Sequence, residues 1–419
     1  MDWIQIPQGM ETKYFVMGEG VLSQVPELLK TAFPGKTPWI VADENTWNAA
    51  GRALSAMLGT QKPPKIFPAV PRLHPDSAVC DALAREIGSD LVPVAVGSGV
   101  INDIVKRASG IADVPYCCVP TAASVDGYTS YGAALCVEGF KKTMPCPAPF
   151  AIAADLAVLR TAPPEMFASG YADLLTKVPA GADWYIAESM GYEKRREDVW
   201  NLVQKDLRKW VSDSSDLYHV FMGLAATGYS MQLYRESRPA SGAEHLMSHI
   251  WEMENLTFRG EDVSHGFKVA VGTMASVKLM FYIIRHSFEE LCPLMEKPET
   301  LPEYEKRVDS LLVKGCYGPA KSVAMEKFLP PDAVEARRKR MGEVWSTLQK
   351  DLERQLFTAE ETEALLKKAH VPVLPEEIGL TREQYLHGVF AAQLIRKRYT
   401  VLDFLYEAGL LKRAVSEVL

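Results

Sequence analysis

The chain has 419 residues, room for two or three domains, and its 47% hydrophobic and 24% charged residues are the composition of a globular protein. Its 46 Lys and Arg against 53 Asp and Glu leave a net charge of −7, which argues against a broad polyanion-binding surface and against nucleic acid as a partner. A small positive pocket holding one phosphate remains compatible with that balance.

No uninterrupted apolar stretch is long enough to span a bilayer, and the start "MDWIQIPQGMETKYF" lacks the basic end, apolar core and cleavage site of a signal peptide. The expectation is a cytoplasmic protein without a membrane partner. Seven cysteines, an odd number with no CxxC pair, read as reduced core thiols.

Up to about residue 160, short apolar runs alternate with amphipathic segments. "PWIVAD" (38–43), "PKIFPAV" (64–70), "LVPVAV" (91–96), "YCCVPT" (116–121) and "FAIAADLAVL" (150–159) predict strands. "NTWNAAGRALSAML", "DSAVCDALAREIG" and "INDIVKRASG" carry apolar residues at helical spacing. Such alternation implies a parallel sheet covered by helices on both faces. The segment 129–149 interrupts it and predicts a hairpin turning around Glu138-Gly139. From about residue 164 nearly everything reads as helix, with 287–345 the least regular part, so the expected division is an α/β domain over 1–163 and an all-α domain over 164–419.

"LVPVAVGSGVINDIVKRAS" reads as strand, glycine turn and helix. Gly97 and Gly99 can reach φ > 0 and let a phosphate approach the N–H groups opening the helix. Asn102 breaks the full GxGxxG pattern, and an ordinary tight turn reads equally well. The next turn, "VPTAASVDGYTS", is small and hydroxyl-rich, and two such adjacent turns form the crevice where open α/β sheets bind ligands. Asp43, closing "IVAD", suits either an adenosine ribose or a helix N-cap.

In "SGAEHLMSHIWEM", His245 and His249 stand four residues apart and share a helix face. Leu246 occupies the position of the general-base Glu of HExxH, which disfavours a zinc protease. His265 opens the next helix, and Asp173 sits among apolar residues in "ASGYADLL", where a carboxylate needs a partner. One Asp with two His suits Zn²⁺, Ni²⁺ or Fe²⁺. Taken singly, each also reads as an ordinary hydrogen-bonded core residue.

Together, "GSGVINDIVK", "VPTAASVDGYTS", "GFKKTMPCPAPFAIAADLAVL", "ASGYADLL", "SGAEHLMSHIWEM", "SHGFKVAVGTM" and "LIRKRYTVLDFL" resemble the bacterial branch of sn-glycerol-1-phosphate dehydrogenase. That family stands beside glycerol dehydrogenase, iron-containing alcohol dehydrogenases and dehydroquinate synthase. The resemblance implies a dehydroquinate synthase-like fold: a Rossmann-like NAD(P)H-binding domain followed by a helical metal- and substrate-binding domain. It implies reversible reduction of dihydroxyacetone phosphate to sn-glycerol 1-phosphate for glycerophospholipid backbones, by a homodimer.

Carried over by position, the resemblance makes Asp173, His245 and His265 the metal ligands. It places Asp126, Asp173 and His249 at the substrate, with His249 the candidate proton donor and Asp126 orienting a hydroxyl. The cofactor would meet Gly97, Ser98, Gly99, Val100, Ile101, Thr121, Ala122, Ser124 and Ser130, with Asp43 on its ribose. Lys177 stands where some iron-dependent relatives carry a fourth ligand, a histidine, so three protein ligands are expected. The alternatives are a polyol dehydrogenase acting on an unphosphorylated substrate and a nucleotide-binding homologue without turnover.

Overall fold

The computed structural model describes residues 3–59, 62–137, 140–313 and 315–419, with residues 140, 141 and 319 described by backbone alone. The chain divides into two compact units, Met1–Leu174 with Arg208–Ser237, and Leu175–Leu207 with Arg238–Leu419.

The first unit is built on a six-stranded sheet of β1 (Tyr14–Gly18), β2 (Thr37–Asp43), β3 (Lys65–Phe67), β4 (Leu91–Gly97), β5 (Cys117–Pro120) and β8 (Ala151–Asp155). Every pairing is parallel and the order is β1-β8-β5-β4-β2-β3. β4, β5 and β8 are buried along their whole length, which is why they read as continuous apolar runs rather than alternating ones. The five expected strands are present, the last one shorter than expected: Leu156–Leu159 of the run read as strand is helical, with Asp155 as its N-cap. β1 is an addition: "YFVMG" is short and partly buried at its ends, too weak a pattern to stand out before β8 pairs with it. β6 (Ala133–Val137) and β7 (Phe140–Met144) form the antiparallel hairpin, whose Glu138-Gly139 turn lies outside the described residues.

The helix Leu217–Tyr234 belongs to this first unit, although it lies in the region that reads as helical domain from sequence. Packing explains the placement. Phe221 is fully buried, stacked on Tyr128 at 5.6 Å between ring centroids and tilted against Phe15 of β1 at 6.4 Å.

The second unit is helical, apart from a two-residue antiparallel pair, Thr257–Phe258 with Glu261–Asp262, among its described residues. Its longest buried element, His265–Arg285, is apolar and long enough by composition to cross a membrane, yet 78% of its apolar window is buried inside the fold. The region 287–345 resolves into short helices, Leu301–Leu311 and Gly318–Glu326, before the long helix Pro331–Gln355 begins.

One close crossing sets the geometry of this unit. The helix Ala243–Met253 lies against His265–Arg285 so tightly that a Cβ on Gly272 would stand 2.5 Å from the Glu244 carbonyl oxygen and 3.0 Å from its Cα. Because the obstruction is backbone, it cannot rotate away. Gly272→Ala gains about 1 kcal/mol of helix propensity, but forces the two helices apart at a cost of about 1–3 kcal/mol. Urea unfolding is expected to show a net loss of stability; a stabilised variant would show that the crossing is looser than this.

Candidate functional site

In the first unit, two turns meet at the carboxyl ends of β4 and β5. Gly97 and Gly99 take no positive φ. Their lack of a side chain serves packing instead: a Cβ on Gly97 would be 2.5 Å from the Ile101 Cβ, and one on Gly99 would be 2.9 Å from Val125 Cγ2. The glycines let the turn close on its own helix and on the neighbouring turn. Ser98 is the extended N-cap of the helix Gly99–Ala112, with no side-chain cap bond, so the N–H groups of Gly99, Val100 and Ile101 open the helix. The Thr121 N–H donates to the Gly97 carbonyl at 3.1 Å, tying the second turn to the first.

The remaining turn residues have defined partners. Ala122 is buried, and the Ser124 hydroxyl meets the Tyr128 hydroxyl at 3.0 Å. Ser130 is also buried and donates to the Gly127 carbonyl. Asp43 caps the helical turn after β2, its Oδ1 accepting from the Thr46 N–H at 2.9 Å.

Lys106, which the sequence reading did not single out, organises this turn. It is fully buried, and its ammonium donates to the Gly127 carbonyl at 2.8 Å, the Ser130 hydroxyl at 2.9 Å and the Gly132 carbonyl at 3.0 Å. Asp103 stands 3.6 Å away as counter-charge. Asn102 adds a bond from Nδ2 to the same Gly127 carbonyl. The Asn that breaks the GxGxxG pattern is therefore a structural link to the second turn.

The helix Pro164–Leu175 reaches that turn through Gly170, where a Cβ would stand 1.9 Å from the Ala123 carbonyl oxygen. This approach delivers Asp173, fully buried, whose Oδ2 accepts the Asp126 backbone N–H at 2.9 Å. The division between the two units falls after Leu174, so Asp173 belongs to the first.

The histidines lie in the second unit. His245 Nδ1 is 2.9 Å from Glu244 Oε1, His249 Nδ1 is 3.1 Å from Glu252 Oε2, and His265 Nδ1 is 2.9 Å from Glu252 Oε1. Ring centroids of His245 and His265 are 5.4 Å apart, with His249 at 6.3 and 6.4 Å from them. An ionised carboxylate only accepts, so each ring carries its proton on Nδ1 and presents the Nε2 lone pair.

Burial pushes the Glu244 carboxyl up, but the hydrogen bond and charge of His245 and the Gly242 N–H outweigh it and hold the carboxyl below its ordinary range. Its neighbour Asp183 is pushed up to about 8 by burial and by the Glu244 charge. The two shifts run in opposite directions because the buried carboxyls repel each other and only Glu244 has an imidazole partner.

Ligand atoms of Asp173, His245 and His265 all lie within 4.8 Å of one another. That spacing, a buried carboxylate and two imidazoles fixed by their Nδ1 atoms fit a divalent ion. His249 stands outside this group of three. Lys177 is fully buried.

Residues 16–163 match the iron-containing alcohol dehydrogenase family model. The glycerol-1-phosphate dehydrogenase [NAD(P)+] of Geobacillus thermodenitrificans is 36% identical over 63% of this chain and 68% of its own length. The enzyme of the same name from Geobacillus stearothermophilus is 32% identical over 88% and 86%. A solved structure of a probable glycerol dehydrogenase from Sinorhizobium meliloti superposes with a TM-score of 0.57 at 16% identity, covering 97% of this chain and 98% of that one, a likeness of fold. The chain belongs to the glycerol-1-phosphate dehydrogenase family and is an NAD(P)-dependent oxidoreductase.

Proposed function

We propose that this protein reversibly reduces dihydroxyacetone phosphate to sn-glycerol 1-phosphate with NAD(P)H and one divalent ion, supplying glycerophospholipid backbones as a cytoplasmic homodimer. The observation that carries the reading is the convergence of Asp173, His245 and His265 within 4.8 Å. The relatives' name, glycerol-1-phosphate dehydrogenase, supports a phosphorylated three-carbon substrate.

Asp173, His245 and His265 would hold the ion, which when bound supplies Lewis acidity at the ketone oxygen. The chain's own groups do the rest. His249, one helical turn beyond His245, donates the proton that the C2 oxygen needs as hydride arrives at C2, and its Nδ1–H on Glu252 leaves Nε2 as the atom that gains and releases that proton. Asp126 accepts a substrate hydroxyl while its backbone N–H stays on Asp173. Gly97, Ser98, Gly99, Val100 and Ile101 would cradle the cofactor diphosphate at the helix N-terminus. Thr121, Ala122, Ser124 and Ser130 line the second turn, and Asp43 keeps one oxygen for the ribose.

The paired histidines separate by role. His245→Ala is expected to abolish metal retention in elemental analysis of the purified protein, and activity with it. His249→Ala is expected to keep the metal and lose about 10²–10⁴-fold in kcat, the range for removal of a general acid. Metal-replete His245→Ala protein, or full turnover without His249, refutes the assignment.

Substrate class is decided by NADH and NADPH oxidation with dihydroxyacetone phosphate beside dihydroxyacetone. The phosphorylated ketone is expected to give the higher kcat/KM. Equal or better activity with the unphosphorylated ketone makes the protein a polyol dehydrogenase, and nucleotide binding without turnover of either makes it a non-catalytic homologue.

A further inference from the structure

Glu252 has no assigned part in this chemistry, yet it is the acid through which two of the three histidines are connected. It lies one helical turn past His249, and its side chain is 9% exposed. One oxygen faces His249 Nδ1 at 3.1 Å and the other faces His265 Nδ1 at 2.9 Å. Lys268, one turn into the next helix, places its ammonium 3.4 Å from the oxygen shared with His265. The two rings so held lie 25° from parallel.

A carboxylate offers no donor, so both rings must present Nδ1–H to it. That leaves His265 Nε2 with a lone pair for the ion, and His249 Nε2 as the site of proton exchange. We propose that Glu252 is a positioning residue that fixes tautomer and orientation of a metal ligand and of the proton donor together, with the Lys268 ammonium beside it as counter-charge. The inference rests on the metal reading above.

Gln in its place is nearly isosteric but carries one acceptor and one donor. The donor turned toward either ring demands Nδ1 as acceptor and moves the ring proton to Nε2, where it blocks metal binding or proton release. Glu254, two residues along, is the control: it lies on Tyr317 at 2.5 Å and His387 at 3.2 Å, neither of them a site residue.

The test titrates Zn²⁺ alone into metal-free wild type, Glu252→Gln, Glu252→Asp and Glu254→Gln, in competition with a chelator. Glu252→Gln is expected to bind Zn²⁺ about 10–100-fold more weakly while the metal-free protein keeps the wild-type melting temperature. Glu254→Gln should match wild type. Glu252→Asp, which keeps an acceptor-only group on a shorter stem, should hold Zn²⁺ more tightly than Glu252→Gln, and this comparison decides the matter if the Gln variant folds poorly. At saturating Zn²⁺ the Gln variant is expected to lose kcat with little change in KM. Wild-type Zn²⁺ affinity in Glu252→Gln overturns the role of Glu252 alone, as does an equal loss in Glu254→Gln or in Glu252→Asp. A wild type that takes up no Zn²⁺, Ni²⁺ or Fe²⁺ overturns the metal reading itself, and this inference with it.

Discussion

The site depends on a small set of charge-assisted hydrogen bonds in which carboxylates hold imidazoles by Nδ1. Glu244 holds His245, and Glu252 holds both His249 and His265. A free imidazole exchanges its proton between two nitrogens and rotates about its side-chain bonds; an acceptor-only partner removes both freedoms. The histidines are thus held in one orientation by their carboxylate partners.

Such bonds require buried negative charge, which is costly unless compensated. Around Glu244 the compensation is visible. Asp183 accepts the Ala243 and Val401 N–H groups, and burial with the nearby Glu244 charge pushes its carboxyl up, toward the neutral form. Arg238, itself buried, pairs with Glu193 and donates to the Asp183 carbonyl at 3.0 Å. Around Glu252 the counter-charge is Lys268. In the first unit, Lys106 plays the complementary part: a buried cation surrounded by carbonyls, with Asp103 nearby, pins the turn that carries Asp126.

Glycine at helix and turn contacts makes these arrangements reachable. Gly272 admits the backbone of Glu244, Gly170 admits the carbonyl of Ala123, and Gly97 admits Ile101. None of the three has positive φ. Their common property is close approach, which differs from the conformational freedom that a glycine-rich turn suggests at first reading. At Gly97 and Gly99 the distinction changes the account of the motif: the turn is shaped by packing, and the N–H groups that open the helix after Ser98 have no side-chain cap.

The sequence by itself determined the parallel sheet, because "LVPVAV" and "YCCVPT" are apolar on both faces and no antiparallel or single-sided sheet needs that. It determined the helical character of the second half and the shared face of His245 and His249, since both follow from local periodicity. It also placed Asp173, His245 and His265 as candidates by residue type and resemblance. Only the tertiary structure decided that their ligand atoms lie within 4.8 Å of one another, because the three residues stand on three different helices. Glu252 shows the limit most clearly. Its spacing from His249 is legible along one helix, but its bond to His265 exists only once a second helix is packed against the first, and no local pattern encodes that distance.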